Sequence, residues 1–301
     1  VDAIKNHSKL NKKITTVGII FMIPAVLLII YTVIIPIIWN VVLSFCEWNG
    51  NSGIKFIGLT NYKEILLDAS MKKTIYNSLF IALVSTVEAM ILGTLCALFI
   101  YRMGRREGAL YRFVFFAPSM LPMTVIGLLF TFILAPDKGL LNSFLQVIGL
   151  ESLKHAWLSD PSTVLWAVAS VQGWRFSGII MILVYGGLIS IPGSLFESAR
   201  LDGASYWMEV KMIIMPLVKP TIQLALSMML LWAFKTYDMV WALTKGGPGD
   251  LSKTAPIKMI EVAFSYNRFG SGAALGLILT VVVMICIIVA RRLMKGEVYE
   301  Y

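Results

Sequence analysis

Charge is scarce in this sequence: Asp, Glu, Lys and Arg together make up 14% of its 301 residues, too little to solvate an ordinary soluble surface. Cysteine is scarcer. Cys46, Cys96 and Cys286 are odd in number, widely separated and without C-x-x-C spacing, which excludes a disulfide framework or a zinc site and leaves packing as their role. The two histidines, His7 and His155, lie in polar segments and suggest neither a metal ligand nor a general base. No G-x-x-x-x-G-K-[ST] loop is present to cradle phosphates, so the chain is expected to hold no ATP, cofactor or metal of its own. Convergent Ser/His/Asp, HExxH or paired carboxylates are missing at membrane depth, where Glu88 stands alone, and this argues against an embedded enzyme. Short-period repeats and low-complexity tracts are missing too.

Apolar residues fill the space, at 58% of the chain with a mean hydropathy of +0.79. At about 20 residues per helical crossing, the apolar runs provide for about six spans. They are expected near Val17–Leu43, Ser78–Tyr101, Val114–Leu134, Thr163–Ile189, Thr221–Val240 and Ala273–Ala290. The fold class is therefore an all-α integral membrane protein. Residues 1–16 and 296–301 are expected as short tails around one membrane domain, 17–295. The first apolar run is far longer than a signal-peptide core and is expected to stay as a helix. Between Glu47 and Asn77, Ile65-Leu-Leu67 suggests a short interfacial helix.

The net charge of +9 does not point to nucleic acid, because the basic residues sit at the ends of apolar runs and not in a stripe with interleaved aromatics. They report orientation instead. Lys5, Lys9, Lys12 and Lys13, then Arg102, Arg105, Arg106 and Arg112, then Arg291, Arg292 and Lys295 fall on one side by alternation. That side is read as the cytoplasm, with both termini in it. The polar insert at 192–220 lands there with Arg200, Lys211 and Lys219, while Glu47, Asp68, Asp137, Asp160 and Asp250 lie opposite.

That insert is the chain's most informative segment. Ser194-Leu-Phe-Glu197 has the form of a capping box, Asp202-Gly203 provides a break where glycine takes positive φ, and a second short helix is expected from Ala204 to Met212, before Pro216. Taken alone, Glu197 reads as a cap residue. The full order is more specific: glutamate, small residues, Asp202-Gly203-Ala204, then Ile213 and Pro216, between two spans on the positive side.

The insert resembles the "EAA" loop of permease subunits of binding-protein-dependent ABC importers, in the carbohydrate branch (maltose, multiple-sugar and glycerol-phosphate types). Family landmarks occur in family order along nearly the whole chain: Phe21-Met-Ile-Pro24, Pro36-Ile-Ile-Trp39, Phe56-Ile-Gly-Leu-Thr-Asn-Tyr62, Asn77-Ser-Leu79, Phe116-Ala-Pro-Ser-Met-Leu-Pro122, Gly139-Leu-Leu-Asn142, Trp157-Leu-Ser-Asp160 and Thr244-Lys-Gly-Gly-Pro248. Ser198, Val210 and Met215 replace the usual alanine, phenylalanine and leucine. The resemblance implies the type I importer permease fold in a bacterial or archaeal plasma membrane. It also implies coupling to an ATPase through Glu197, Ser198, Ala199, Asp202, Gly203, Ala204, Ile213 and Pro216. The implied partners are a second, similar permease, two ATPase subunits that bind ATP and Mg, and an extracellular solute-binding protein. The solute would be a carbohydrate, with an oligosaccharide preferred. A glycerol phosphate or acidic sugar is the alternative, and an ATP-independent secondary transporter is the remote one, since inverted repeats and broken-helix pairs are not evident.

Two charges interrupt the spans. Glu88 and Arg175 lie at similar expected depths and are candidates to pair, because an arginine at a helix centre costs about 2.5–3.5 kcal/mol in lipid on insertion scales. Arg175 is equally a candidate for the solute path, where its planar fork would meet hydroxyls or an anion. The family places solute contacts on the helices flanking the loop, which points to Arg175, Phe176, Trp232 and Ala233, then Trp174 and Ile179.

Overall fold

The computed structural model describes residues 17–51 and 53–294. The terminal tails, with Lys5, His7, Lys9, Lys12, Lys13 and Lys295, lie outside the described residues. Among the described residues the regular structure is helical apart from a short ribbon, in which β1 (Cys46–Glu47) pairs antiparallel with β2 (Lys55–Phe56). Helix α1 covers Val17–Ser44. Then come α2 (Thr60–Leu67), α3 (Ala69–Tyr101), α4 (Arg105–Met120), α5 (Met123–Ile133), α6 (Leu140–Val147) and α7 (Val164–Ile189). After α8 (Gly193–Leu201), the helix α9 runs Tyr206–Phe234, followed by α10 (Asp238–Thr244), α11 (Ala255–Ile260) and α12 (Phe269–Leu293). Five of these helices are long and apolar enough to cross a bilayer, and α4 with α5 makes a sixth, broken crossing. The expected six-span, all-α class is what is found.

The centre is the α3–α7 pair. Ala82, Ala89, Gly93 and Ala97 recur on one face of α3, all buried. Without a hydrophobic force between helices in lipid, such small residues let backbones approach and gain contact directly. α7 brings Phe176, Ile180, Met181 and Val184 to that face, and α9 adds Val218, Ala225 and Met229. By contrast, every residue of α1 from Val17 to Trp39 is exposed, so this stretch is apolar all round and bare, while the end of the helix meets α12 and buries Leu43 and Ser44.

Both α1 and α9 contain a π-helical turn just before a proline. The Ile35 amide reaches back to Ile30 O ahead of Pro36, and the Met215 amide to Val210 O ahead of Pro216. A proline in a regular helix crowds the carbonyl four residues back and offers it no N–H. The wider turn absorbs that misfit.

Three landmark asparagines prove to be carbonyl collectors at the end of the bundle away from α8. Asn61 Nδ2 donates to the carbonyls of Ser44 and Cys46, both at 2.9 Å, while its Oδ1 accepts from Ser271. Asn77 Nδ2 donates to Leu251 O (3.0 Å) and Lys253 O (2.9 Å), and Ser78 Oγ accepts the amide of Ala255. Asn142 Nδ2 donates to Pro136 O and His155 O, and its Oδ1 accepts Trp157 Nε1. Each lets buried backbone turn without stranding a polar group.

Several boundaries differ from expectation. The second span starts at Ala69, not Ser78, because Asp68 caps it by accepting from the Met71 amide at 2.9 Å, and residues 251–255 cover its polar first turns. The third span is not one helix: the chain bends by 96° between α4 and α5, where Leu121 and Pro122 are extended. The separate helix expected at Ala204–Met212 does not form. Its residues instead begin α9, which runs through Pro216 and Pro220 and ends at Phe234, short of Val240. The expected interfacial helix at Ile65-Leu-Leu67 is α2, with Ile65 buried and Leu67 exposed.

Candidate functional site

The polar insert forms an elbow between α7 and α9. Pro192 precedes α8, and Gly193 is already helical, so Ser194 sits inside the first turn and not at the cap. The capping box expected from Ser194 and Glu197 is therefore absent, and Glu197 lies exposed on the helix. At the other end, Gly203 takes φ +80. Its amide bonds to Arg200 O at 3.1 Å and the Ala204 amide to Ala199 O at 2.9 Å. This is a Schellman closure, in which a left-handed glycine satisfies the last carbonyls of a helix. The A-x-x-x-G-A spacing of the insert is thus the recipe for the turn.

Side chains fix the elbow to the bundle. Arg200 Nε donates to Glu209 Oε1 at 2.8 Å across the turn, and Glu209 is buried. The hydrogen bond and the charge of Glu209 favour the guanidinium of Arg200 and push its pKa up. Arg102, just past the end of α3, lies over the Tyr206 ring with its Cζ 4.0 Å from the centroid, and Phe196 packs near Tyr101. Together with Glu197 these line a cleft of about 860 Å³. Tyr206 and Glu209 do not stand out in the sequence, and Arg102 does so only as a marker of orientation. An arginine directly after a span is a usable signal, but pairing across nine residues and a turn is not.

Of the eight residues expected to couple, Glu197, Ser198, Asp202 and Gly203 are exposed and Ala199 and Ala204 half-exposed. Ile213 and Pro216 lie at the root, where Ile213 packs on the core. Beside them stand large exposed apolar side chains, Leu201 (90%), Trp207 (73%) and Met212 (69%).

The interior candidates divide between two faces of α7. Phe176 stacks on Trp232 of α9, with centroids 5.5 Å apart and planes at 12°. Ile179 and Ala233 belong to the same apolar cluster. Arg175 lies 4.9 Å from the Phe176 centroid and is only 8% exposed. Its Nη2 donates to Ser119 O (3.2 Å) and Leu121 O (3.1 Å). Trp174 is elsewhere, against Phe130, in a cavity of about 540 Å³ shared with Glu88, Trp157, Trp166 and Ser170.

The expected Glu88–Arg175 pair does not form. Glu88 faces Gly173, where a Cβ would stand 2.9 Å from Oε2, and its hydrogen-bond partner is Ser170. Arg175 is two residues past Gly173, on the far side of a helix that turns every 3.6 residues. Similar depth does not bring the two charges together. Gln172, by contrast, is fully engaged: it donates to Ser85 Oγ and accepts from Thr236 Oγ1, tying α3, α7 and the end of α9.

Residues 89–296 match the family described as "Binding-protein-dependent transport system inner membrane component". The chain belongs to that family, the multi-pass inner-membrane permeases of ABC transport systems. It is a transport subunit. Among its relatives, the probable ABC transporter permease protein YurN of Bacillus subtilis is 36% identical over 278 residues, covering 92% of this chain and 94% of the relative. The probable starch degradation products transport system permease protein AmyD of Thermoanaerobacterium thermosulfurigenes is 27% identical over 280 residues, with 93% and 94% covered. In fold, the chain is similar to a subunit of the bacterial alginate ABC transporter solved in complex with alginate pentasaccharide-bound periplasmic protein. There the TM-score is 0.81 at 20% identity, over 96% of this chain and 98% of that one.

Proposed function

We propose that this chain is half of the translocation path of an ATP-driven importer for an oligosaccharide, and that it takes its motion from a separate ATPase through the elbow. The observation that carries the reading is the glycine-closed turn between α7 and α9, exposed and rimmed by apolar side chains, in a chain of this family. Glu197, Ser198 and Asp202 are presented outward, with Leu201, Trp207 and Met212 as the apolar anchors that enter a groove of the ATPase. Ala199, Gly203 and Ala204 give the turn its shape, and Ile213 and Pro216 root it in the bundle.

ATP and Mg belong to the partner, and no cofactor is assigned to this chain. The assembly comprises a second, similar permease, two ATPase subunits and an extracellular solute-binding protein. A bare apolar α1 is consistent with a companion in the membrane. The elbow, the loop after α3 and the end of α12 share one end of the bundle, as the contacts of Arg102 with Tyr206 and of Gln223 Nε2 with Met294 O indicate. We assign that end, and both terminal tails, to the cytoplasm. The permease domain extends over 17–295 with its coupling loop at 192–220.

A sugar is favoured by relatives such as the one named for starch degradation products. Stacked aromatic faces suit sugar rings, and the path is assigned to the Phe176–Trp232 pair with Ile179 and Ala233 beside it. Arg175 lies behind this pair and Trp174 opens to the other cavity. A neutral oligosaccharide is preferred, because Arg175 lies buried behind the aromatic pair with its Nη2 held by two backbone carbonyls, although its Nε has no partner among the described residues. The test is reconstitution with the ATPase, the second permease and the binding protein, scoring which oligosaccharide stimulates ATP hydrolysis. Uptake by the purified chain alone, or a label at Leu201 reactive only from outside the cell, would overturn the reading.

A further inference from the structure

Helix α7 meets the third span where that span's backbone has come apart. Leu121 and Pro122 are extended, so the carbonyls of Ser119 and Leu121 leave the helical ladder, and the Val125 amide turns to Pro122 O at 3.1 Å. Irregular backbone within a membrane protein is tolerated only where other groups take over its polar atoms. Arg175 does so, its Nη2 reaching both carbonyls at 3.2 and 3.1 Å. The clamp is reciprocal, because Ser119 Oγ donates to the carbonyl of Arg175 at 2.6 Å. One turn further along α7, a Cβ on Gly178 would lie 2.4 Å from Phe115 O, so the two backbones touch beside the clamp. The same guanidinium lies against Phe176, which stacks on Trp232.

One buried cation thus joins the break, α7 and, through two rings, α9. Those two helices run directly into the elbow. We infer that Arg175 is a positioning residue that transmits elbow movement to the bend of the third span. This rests on the proposed coupling function. Nη2 alone makes both bonds, Nε being without a partner among the described residues; a lysine in its place would keep the charge but place its donor on a shorter, flexible stem, and a methionine would leave both carbonyls bare.

The test uses the full importer in nanodiscs, with spin labels at Val114 and Val125, exposed positions on either side of the break. Wild type should give one narrow distance, Arg175→Met a broad one, and Arg175→Lys and Ser119→Ala intermediate widths. Arg175→Met should cut the uptake kcat at least about tenfold, the scale of one charged hydrogen bond, with the KM for solute-loaded binding protein unchanged and basal ATP hydrolysis no longer stimulated. Ser119→Ala guards against misfolding, since it removes a single hydroxyl. An unaltered distance distribution in Arg175→Met overturns the inference whatever its uptake rate. A changed KM or solute preference at unaltered distance makes Arg175 a solute contact instead. The distances are readable even if the wild-type complex shows no stimulated uptake, so failure of the coupling function and failure of the clamp are told apart.

Discussion

Gly203 offers a test of the elbow in which backbone strain is separable from crowding. At φ +80, with no atom within 4 Å of where a Cβ would stand, a substitution there meets only the cost of the left-handed conformation within this chain. For alanine that cost is about 1–2 kcal/mol, which shifts the balance between closed and open turns about 5- to 30-fold. Asparagine, whose short polar side chain tolerates the region, should lose less. Valine, β-branched, should lose more. Proline fixes φ near −65° and removes the amide that bonds to Arg200 O, at a cost of about 3 kcal/mol or more, enough to abolish the turn. Stimulated ATP hydrolysis in the reconstituted importer should therefore fall in the order Gly, Asn, Ala, Val, Pro, while membrane insertion stays normal. If a partner's surface and not the turn set the limit, alanine would be tolerated better than the larger asparagine. That order, or normal coupling in Gly203→Pro, would refute the reasoning.

Other changes test neighbouring contacts. Tyr206→Leu removes the ring under Arg102 and should lower coupling about 2- to 5-fold, the worth of an exposed cation–π contact of about 0.5–1 kcal/mol; Tyr206→Phe, which keeps the ring face, should be near wild type by the same ATPase assay. Asn77→Leu strips two buried carbonyls of their donor at about 1–3 kcal/mol each, so protease should cut the 244–254 loop faster and the melting temperature should fall. Burial pushes the carboxyls of Asp250, in that loop, and Glu261, beyond α11, up, but hydrogen bonds and ion pairs from Lys253 and their other partners outweigh it and both end below the ordinary range; burial pulls Lys253 down, but the same two carboxylates outweigh it and it ends above its own. The carboxylate contribution to loop stability is then complete above the ordinary carboxylate pKa of about 4 and is lost as pH falls below it. The lysine contribution is complete below about pH 10.4 and lost above. Amide protection factors in the loop, corrected for the intrinsic pH dependence of exchange, should be highest between those limits, and Lys253→Met should shrink the loss on the acid side.

Much of this architecture can be read from residue order alone. The apolar runs mark the spans, and Asp202-Gly203-Ala204 marks the turn, because the left-handed glycine is a local necessity. Other features depend on azimuth and on distant partners. Glu88 and Arg175 share a depth but not a face, and depth is all that a linear count conveys. The run from Val114 to Leu134 is uncharged throughout, and Pro118 stays inside α4 while Pro122 follows its end. What distinguishes them is the donor that Arg175 brings from 54 residues away. Likewise Pro216 looks like a stop but lies within a continuous helix, since the π-helical turn before it absorbs the misfit. Asn61, Asn77 and Asn142 are visible as landmarks, yet their function as backbone donors emerges only when loops far apart in sequence converge on them.

The helix α3 has a mechanical consequence. Its 33 residues make a rod about 50 Å long, stitched near one end to the 250–255 segment by Asn77 and Ser78 and followed at the other by Arg102 on Tyr206. A hydrogen-bonded rod barely stretches, so a displacement at the Arg102 end arrives at the Asn77 end with almost no slack, and one that starts at the Asn77 end has the same direct line back.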